Sequence, residues 1–283
     1  PLIVSTCGLY CLYKLIKDYE KKVNYSSISK ALFVSFSICP FFITYGTMFL
    51  SYSPLFLLTF LQLLLLKHLH NTTFPKKESL YIVLLTLINT VMIYLNYTYI
   101  WSFLFIVLLF AFKKIHFKKI KTIVISTMIP LLLSTNYFFY NVRNAAIIKQ
   151  NIYEKTFVNY FDLVITNFTF ILGIIHIDFI VSVVITFTFF LFSIIGLILF
   201  FKRDAKLSLI SASFIWLPIL SILSYSLLYN NLFDLKNLWQ PLWLLLTFSL
   251  YGIQKILGRG SVIFIGLIFL FNFKYFQHYE VAS

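Results

Sequence analysis

The chain reads as an all-α, polytopic transmembrane helical bundle, and three observations predict it: the composition, the spacing of the apolar runs, and the division of charge between the links. Of 283 residues, 60% are hydrophobic and 11% charged, with a mean hydropathy of +0.91. Polar side chains cannot cover that much apolar surface in water, so lipid must solvate it.

Crossing a bilayer takes about 17 to 25 apolar residues. Runs approaching that length occupy roughly 1–16, 31–49, 52–66, 80–96, 98–112, 122–140, 178–201, 207–229, 238–254 and 261–273, which makes about ten expected spans. The shorter ones must tilt, thin the bilayer or extend past these bounds. The whole of 1–283 is expected to form a single transmembrane domain. Its first run opens on Pro1 without a signal-peptide n-region, so the chain is read as truncated at its N-terminus.

Charge then orients the ladder. If the links alternate sides, one side collects 18 of the 23 basic residues, in clusters such as Lys14 to Lys30, Lys113 to Lys121 and Lys202 to Lys206. The other side holds Arg143, Lys149, Lys155, Lys236 and Lys274, balanced by Glu154, Asp162, Asp178, Asp234 and Glu280, so the first side carries the entire +14. By the positive-inside rule the lysine-rich side is cytoplasmic. The basic pI of 9.6 therefore reports topology at an anionic leaflet, and no nucleic-acid partner is expected. The sequons at Asn24 and Asn71 fall on the cytoplasmic side, where they are chance matches.

One long stretch is not a span. Residues 141–177, beginning NVRNAAIIKQNIYEKTFVNYFD, fall on the non-cytoplasmic side, and their short, interrupted apolar pieces are expected to lie as interfacial helices. Arg143, Lys149, Lys155, Glu154 and Asp162 then sit at headgroup level, facing both lipid and outer water. Such a site suits a substrate with a lipid tail and a phosphate head; the alternative is that Arg143 and Lys149 only snorkel to lipid phosphates.

Cys7, Cys11 and Cys39 lie in apolar runs without metal-ligand spacing and read as packing residues; the five histidines make no ligand set either. Pro40, Pro130, Pro218 and Pro241 should each free a backbone carbonyl, tolerated where neighbours re-satisfy it. No acidic or basic residue stands at mid-depth in a span, since Lys14 and Asp178 lie at span ends, and no internal repeat is visible, which argues against an ion-coupled transporter of two matched halves.

The run from Cys39 to Leu58, CPFFITYGTMFLSYSPLFLL, resembles the third and fourth spans of the type C glycosyltransferase superfamily, particularly bacterial protein O-mannosyltransferases and lipid A aminoarabinose transferases. There a span with a Ser-Pro-like break ends at an external turn, and a Tyr, here Tyr52, opens the return. The hairpin turn Asn96 to Trp101, the Met128-Ile-Pro130 run and Leu235-Lys-Asn-Leu-Trp-Gln-Pro241 are similar to later family features. The chain departs from the pattern where Leu50 replaces an Arg and where Lys236-Asn237 replaces Arg-Tyr.

The resemblance implies an inverting transfer of a sugar from a polyprenyl-phosphate donor to an acceptor at the non-cytoplasmic face of the bacterial inner membrane. It also implies a catalytic acid in a first external loop, upstream of Pro1, and sometimes a divalent metal ion. A carboxylate would deprotonate the acceptor hydroxyl while cations hold the departing phosphate. The substrate-binding candidates are Arg143, Lys149, Lys236 and Tyr52 for the donor, and Asp162 and Asp234 for acceptor or metal. The partners expected are the lipid-linked donor and membrane lipids. Two other readings fit the same spans: a flippase or transporter of a lipid-linked saccharide, and a polysaccharide polymerase or ligase.

Overall fold

A computed structural model describes residues 2–23, 30, 52–71, 75–96, 99–112, 119–137, 139–140, 179–229 and 239–261. Among the described residues every regular element is helical. In chain order they are α1 (Leu2–Val23), α2 (Tyr52–Asn71), α3 (Pro75–Leu95), α4 (Tyr99–Ala111), α5 (Ile120–Leu133), α6 (Phe179–Phe201), α7 (Ala205–Tyr229) and α8 (Trp239–Leu257), with a 3-10 turn at Gly258–Gly260.

Each helix coincides with one expected apolar run, but several run further into the charged links. α1 continues past residue 16 to Val23. Its lysines fold back on the preceding turn, Lys14 over the Tyr10 ring at 5.0 Å and Lys17 over Tyr13 at 5.5 Å, so the charges do not end the helix. α3 starts at Pro75 rather than near 80, because proline is favoured in a helix's first turn and Glu78 is an acid in that turn. α5 ends at Leu133, and after a turn at Ser134 the chain is helical again at 135–137 and 139–140, within the expected run to 140. The Asp204 carboxylate accepts from the Leu207 N–H at 2.9 Å and so caps α7, and Gly258 at φ 53° terminates α8. Of the expected spans, 31–49 lies outside the described residues, as does nearly all of 261–273.

Two stretches, Glu78–Leu95 in α3 and Val183–Phe201 in α6, are long and apolar enough to cross a membrane; Pro54–His70, Trp101–Ala111, Ile120–Leu133 and Ala205–Ser221 are shorter apolar helices. The surface of these helices is greasy. Leu80, Val83, Leu87, Val91 and Tyr94 make an exposed stripe on α3, and Val184, Phe187, Leu191, Ile194 and Ile198 one on α6. Meanwhile Gln62, Asn89, Ser126, Ser193 and Gln240 are buried. Apolar outside with amides and hydroxyls inside is the arrangement that hydrocarbon favours and water does not. Many of the hydroxyls bond the carbonyl four residues back, as Thr59 does to Leu55 at 3.0 Å and Thr127 to Ile123 at 2.7 Å, so they add no unpaired group to an apolar helix.

α3 and α5 run side by side in the same direction: Thr122 donates to Glu78 at one end, and the Tyr137 hydroxyl to the Tyr94 carbonyl at 2.9 Å at the other. At the Glu78 end the Lys119 ammonium bonds the last carbonyls of α2, at Leu69 and His70. The basic termini of α2, α3 and α5 therefore gather at one end of the bundle.

α8 is the axis. Every residue from Gln240 to Leu246 is buried, and Trp243 packs edge-on against Phe60 of α2 at 5.5 Å and Phe105 of α4 at 6.3 Å. Phe105 in turn meets Phe214 of α7 at 4.6 Å. Against α6 the axis helix approaches until backbones touch: Gly196 faces the Phe248 carbonyl and Gly252 the Phe192 carbonyl, with no room for a Cβ at either. Ser249 fixes that seam by donating to the Phe189 carbonyl at 2.9 Å.

Candidate functional site

Of the candidate site residues, Arg143, Lys149, Asp162, Asp234 and Lys236 lie outside the described residues, as does the whole 141–177 segment. Tyr52 is the first residue of α2, so the helix starts where the return span was expected, with Pro54 in its first turn. α8 starts at Trp239, three positions after Lys236. Pro241 falls in the first turn of α8, where the missing N–H was unpaired in any case. The expectation that it frees a carbonyl is thereby corrected.

Pro130 behaves as expected, and shows what the freed carbonyl is for. It sits inside α5 and has no N–H for the carbonyl of Ser126, four residues earlier. Asn89 of α3 supplies the missing donor, its Nδ2 reaching the Ser126 oxygen at 2.8 Å, while its Oδ1 accepts from Gln62 Nε2 of α2 at 2.6 Å. Gln62 is 0% exposed and Asn89 1%, so this three-helix chain is dry. In low dielectric such linked bonds are strong and their loss is costly. The chain ends on Gln62 Oε1, which has no hydrogen-bond partner.

A second group of buried polar atoms surrounds the start of α8. Gln240 is 0% exposed, and neither its Oε1 nor its Nε2 has a partner; the Trp243 indole N–H and the Ser102 hydroxyl are also unpaired. Ser102 lies one turn before Phe105 on α4, and Gln240 one turn before Trp243 on α8, so the Phe105–Trp243 contact sets the two polar turns on neighbouring helices. The first backbone N–H groups of α8, apart from Pro241, which has none, lack partners within the helix and carry its positive dipole end. Donors predominate, and no charged side chain is among these buried groups.

Sequence reasoning missed both groups because it searched the spans for charges. The available signal was the uncharged amide: Gln62 interrupts a leucine run and Asn89 an aliphatic one, and an amide buried among apolar side chains is expensive enough to need a reason. Among the described residues, no group of three His, Cys, Asp or Glu side chains could hold a metal ion, so no step is assigned to one. Cys7 and Cys11 are free thiols one turn apart on α1, the first exposed and the second half-buried; Cys39 lies outside the described residues. No family model, curated protein or solved structure matches the chain.

Proposed function

We propose that the chain is a multi-pass integral membrane protein of about ten spans, in the bacterial inner membrane, that transfers a sugar from a polyprenyl-phosphate donor to an acceptor at the non-cytoplasmic face. The observation that carries this reading is the segregation of charge: the links of one side hold the whole net charge of +14, and the broad 141–177 excursion falls on the other. The exposed apolar stripes of α3 and α6 and the gathering of the basic ends of α2, α3 and α5 support the membrane part.

The transferase part is supported by motif patches and by two helix starts, Tyr52 and Trp239, that fall where the type C resemblance expects spans to begin. In this reading Arg143 and Lys236 hold the departing lipid phosphate, with Lys149 behind them. Asp162 and Asp234 serve the acceptor. The cations act by stabilising charge that grows as the anomeric bond breaks.

The test measures transfer of radiolabelled sugar from a polyprenyl-phosphate donor in membranes that contain the chain. Arg143→Ala and Lys236→Ala should each lower donor use at least about tenfold, as expected when a charged hydrogen bond is lost. Membrane insertion should stay intact. Undiminished transfer in both variants refutes the assignment.

A further inference from the structure

We infer that the corner between α6 and α7 docks one anionic phospholipid, with its phosphate among Lys202, Arg203 and Lys206 and its acyl chains along the apolar faces that run from that corner. The inference rests on the membrane part of the reading above and is independent of sugar transfer.

The corner is tightly built. α6 ends at Phe201 and α7 begins at Ala205, and the N–H groups of Arg203 and Asp204 both donate to the Phe200 carbonyl, at 2.9 and 3.0 Å. The Ser208 hydroxyl of α7 donates to the Leu197 carbonyl of α6 at 2.8 Å, and further along the Phe190 ring meets Trp216 at 5.4 Å, so the two helices are held in one geometry. Lys202, Arg203 and Lys206 are all exposed on it. The acid of the corner, Asp204, turns its carboxylate to the Leu207 N–H as the cap of α7. Three bases less one acid leave the corner with a net charge of +2.

Two exposed apolar lines lead away from these cations. Phe201, Ile198, Ile194 and Leu191 share one face of α6, and Leu209, Leu217 and Leu220 continue the face of α7 that Lys206 heads. At 1.5 Å per residue, Phe201 to Leu191 covers about 15 Å and Lys206 to Leu217 about 17 Å, close to half of a roughly 30 Å hydrocarbon layer and so to the depth of one leaflet. A nucleic acid or acidic peptide would use the cations and leave the apolar lines bare. A phospholipid with a negatively charged head uses both at once, and clustered bases at the membrane surface favour it over a neutral one. Lys121 supplies the contrast: it too is exposed and heads an apolar line, Val124, Met128 and Leu132, but it is a single base whose neighbour Thr122 bonds the Glu78 carboxylate.

The experiment titrates the full chain in neutral detergent with phosphatidylglycerol, and native mass spectrometry reads the dissociation constant of the first lipid bound. Phosphatidylglycerol should bind at least about tenfold more tightly than phosphatidylcholine. Changing Lys202→Gln and Lys206→Gln together should weaken phosphatidylglycerol about tenfold or more and leave phosphatidylcholine within about twofold; both side chains are exposed, so the hairpin folds without them. Lys121→Gln should shift phosphatidylglycerol by less than about twofold. Equal binding of the two lipids, phosphatidylglycerol binding unmoved by the double change, or an equal loss in Lys121→Gln would each overturn the inference.

Glycerol 3-phosphate carries the head without the chains, and its displacement of phosphatidylglycerol at equal concentration would overturn the lipid assignment. Single-stranded DNA that bound the corner as tightly would do the same. Insertion into phosphatidylcholine liposomes, resistant to carbonate extraction, is read separately. A chain that fails to insert removes the membrane reading and this inference with it, whereas an inserted chain with no preference for phosphatidylglycerol removes the docking site alone.

Discussion

The dry chain Gln62–Asn89–Ser126 makes a prediction that depends on the absence of one hydrogen atom. Because Pro130 has no N–H, the Ser126 carbonyl relies on Asn89, at 2.8 Å, and Asn89 in turn holds Gln62 at 2.6 Å. Asn89→Leu strands two buried groups at once, the Ser126 carbonyl and the Gln62 amide. Each stranded group costs about 1–3 kcal/mol, and polar bonds between membrane helices fall at the low end of that scale, so a loss of roughly 2–4 kcal/mol is expected. Pro130→Ala restores an N–H four residues beyond Ser126. In the Asn89→Leu background it should therefore recover about 1–2 kcal/mol beyond what it contributes alone, a coupling that a double-mutant cycle isolates. Reversible detergent unfolding in bicelles reads all four states. If Pro130→Ala has the same effect with and without Asn89, the carbonyl is not the link between the two positions, and the reasoning fails.

Three further outcomes follow from the packing and the surface. Gly196→Ala or Gly252→Ala would push a methyl into a backbone carbonyl of the facing helix, so each should lower unfolding stability by about 1–3 kcal/mol, whereas Gly258→Ala, with open space around it, should cost only the roughly 1 kcal/mol of its left-handed backbone. Leu191→Lys, on the exposed face at the middle of α6, should make insertion of that helix less favourable by about 2.5–3.5 kcal/mol in a translocon-insertion assay; on a water-soluble surface the same change would be harmless. Lys119→Ala removes the ammonium bonded to the carbonyls of Leu69 and His70, and should cost about 1 kcal/mol of stability with no change in insertion.

Much of the helical layout was legible because long apolar runs bounded by charged links mark where helices lie. The starts of α2, α4, α6 and α8 fall within a residue of the expected runs. The ends of α1, α2 and α3 in the links were not legible. They are set by where lysines and tyrosines can lie along a helix, as Lys14 and Lys17 do, rather than by apolar content. The interior was legible only in part: Pro130 announced an unpaired carbonyl, but nothing local in sequence tied it to Asn89, 37 positions away from Ser126. Gln240 was hidden for another reason. Its burial comes from α8 being enclosed on all sides, a property of the neighbours that surround it and not of its own periodicity. Arg143, Lys149, Asp162, Asp234 and Lys236 were chosen from charge and resemblance alone, and their roles rest on those grounds.

The central claim is that residues 141–177 stand on the non-cytoplasmic face. A chain with Cys7, Cys11 and Cys39 changed to serine, and a single new cysteine at Asn159, should react in intact cells with a membrane-impermeant maleimide, while a cysteine at Lys118 should react only after lysis. Protection of Asn159→Cys in intact cells with labelling of Lys118→Cys would reverse the orientation and remove the ground for sugar transfer at the outer face.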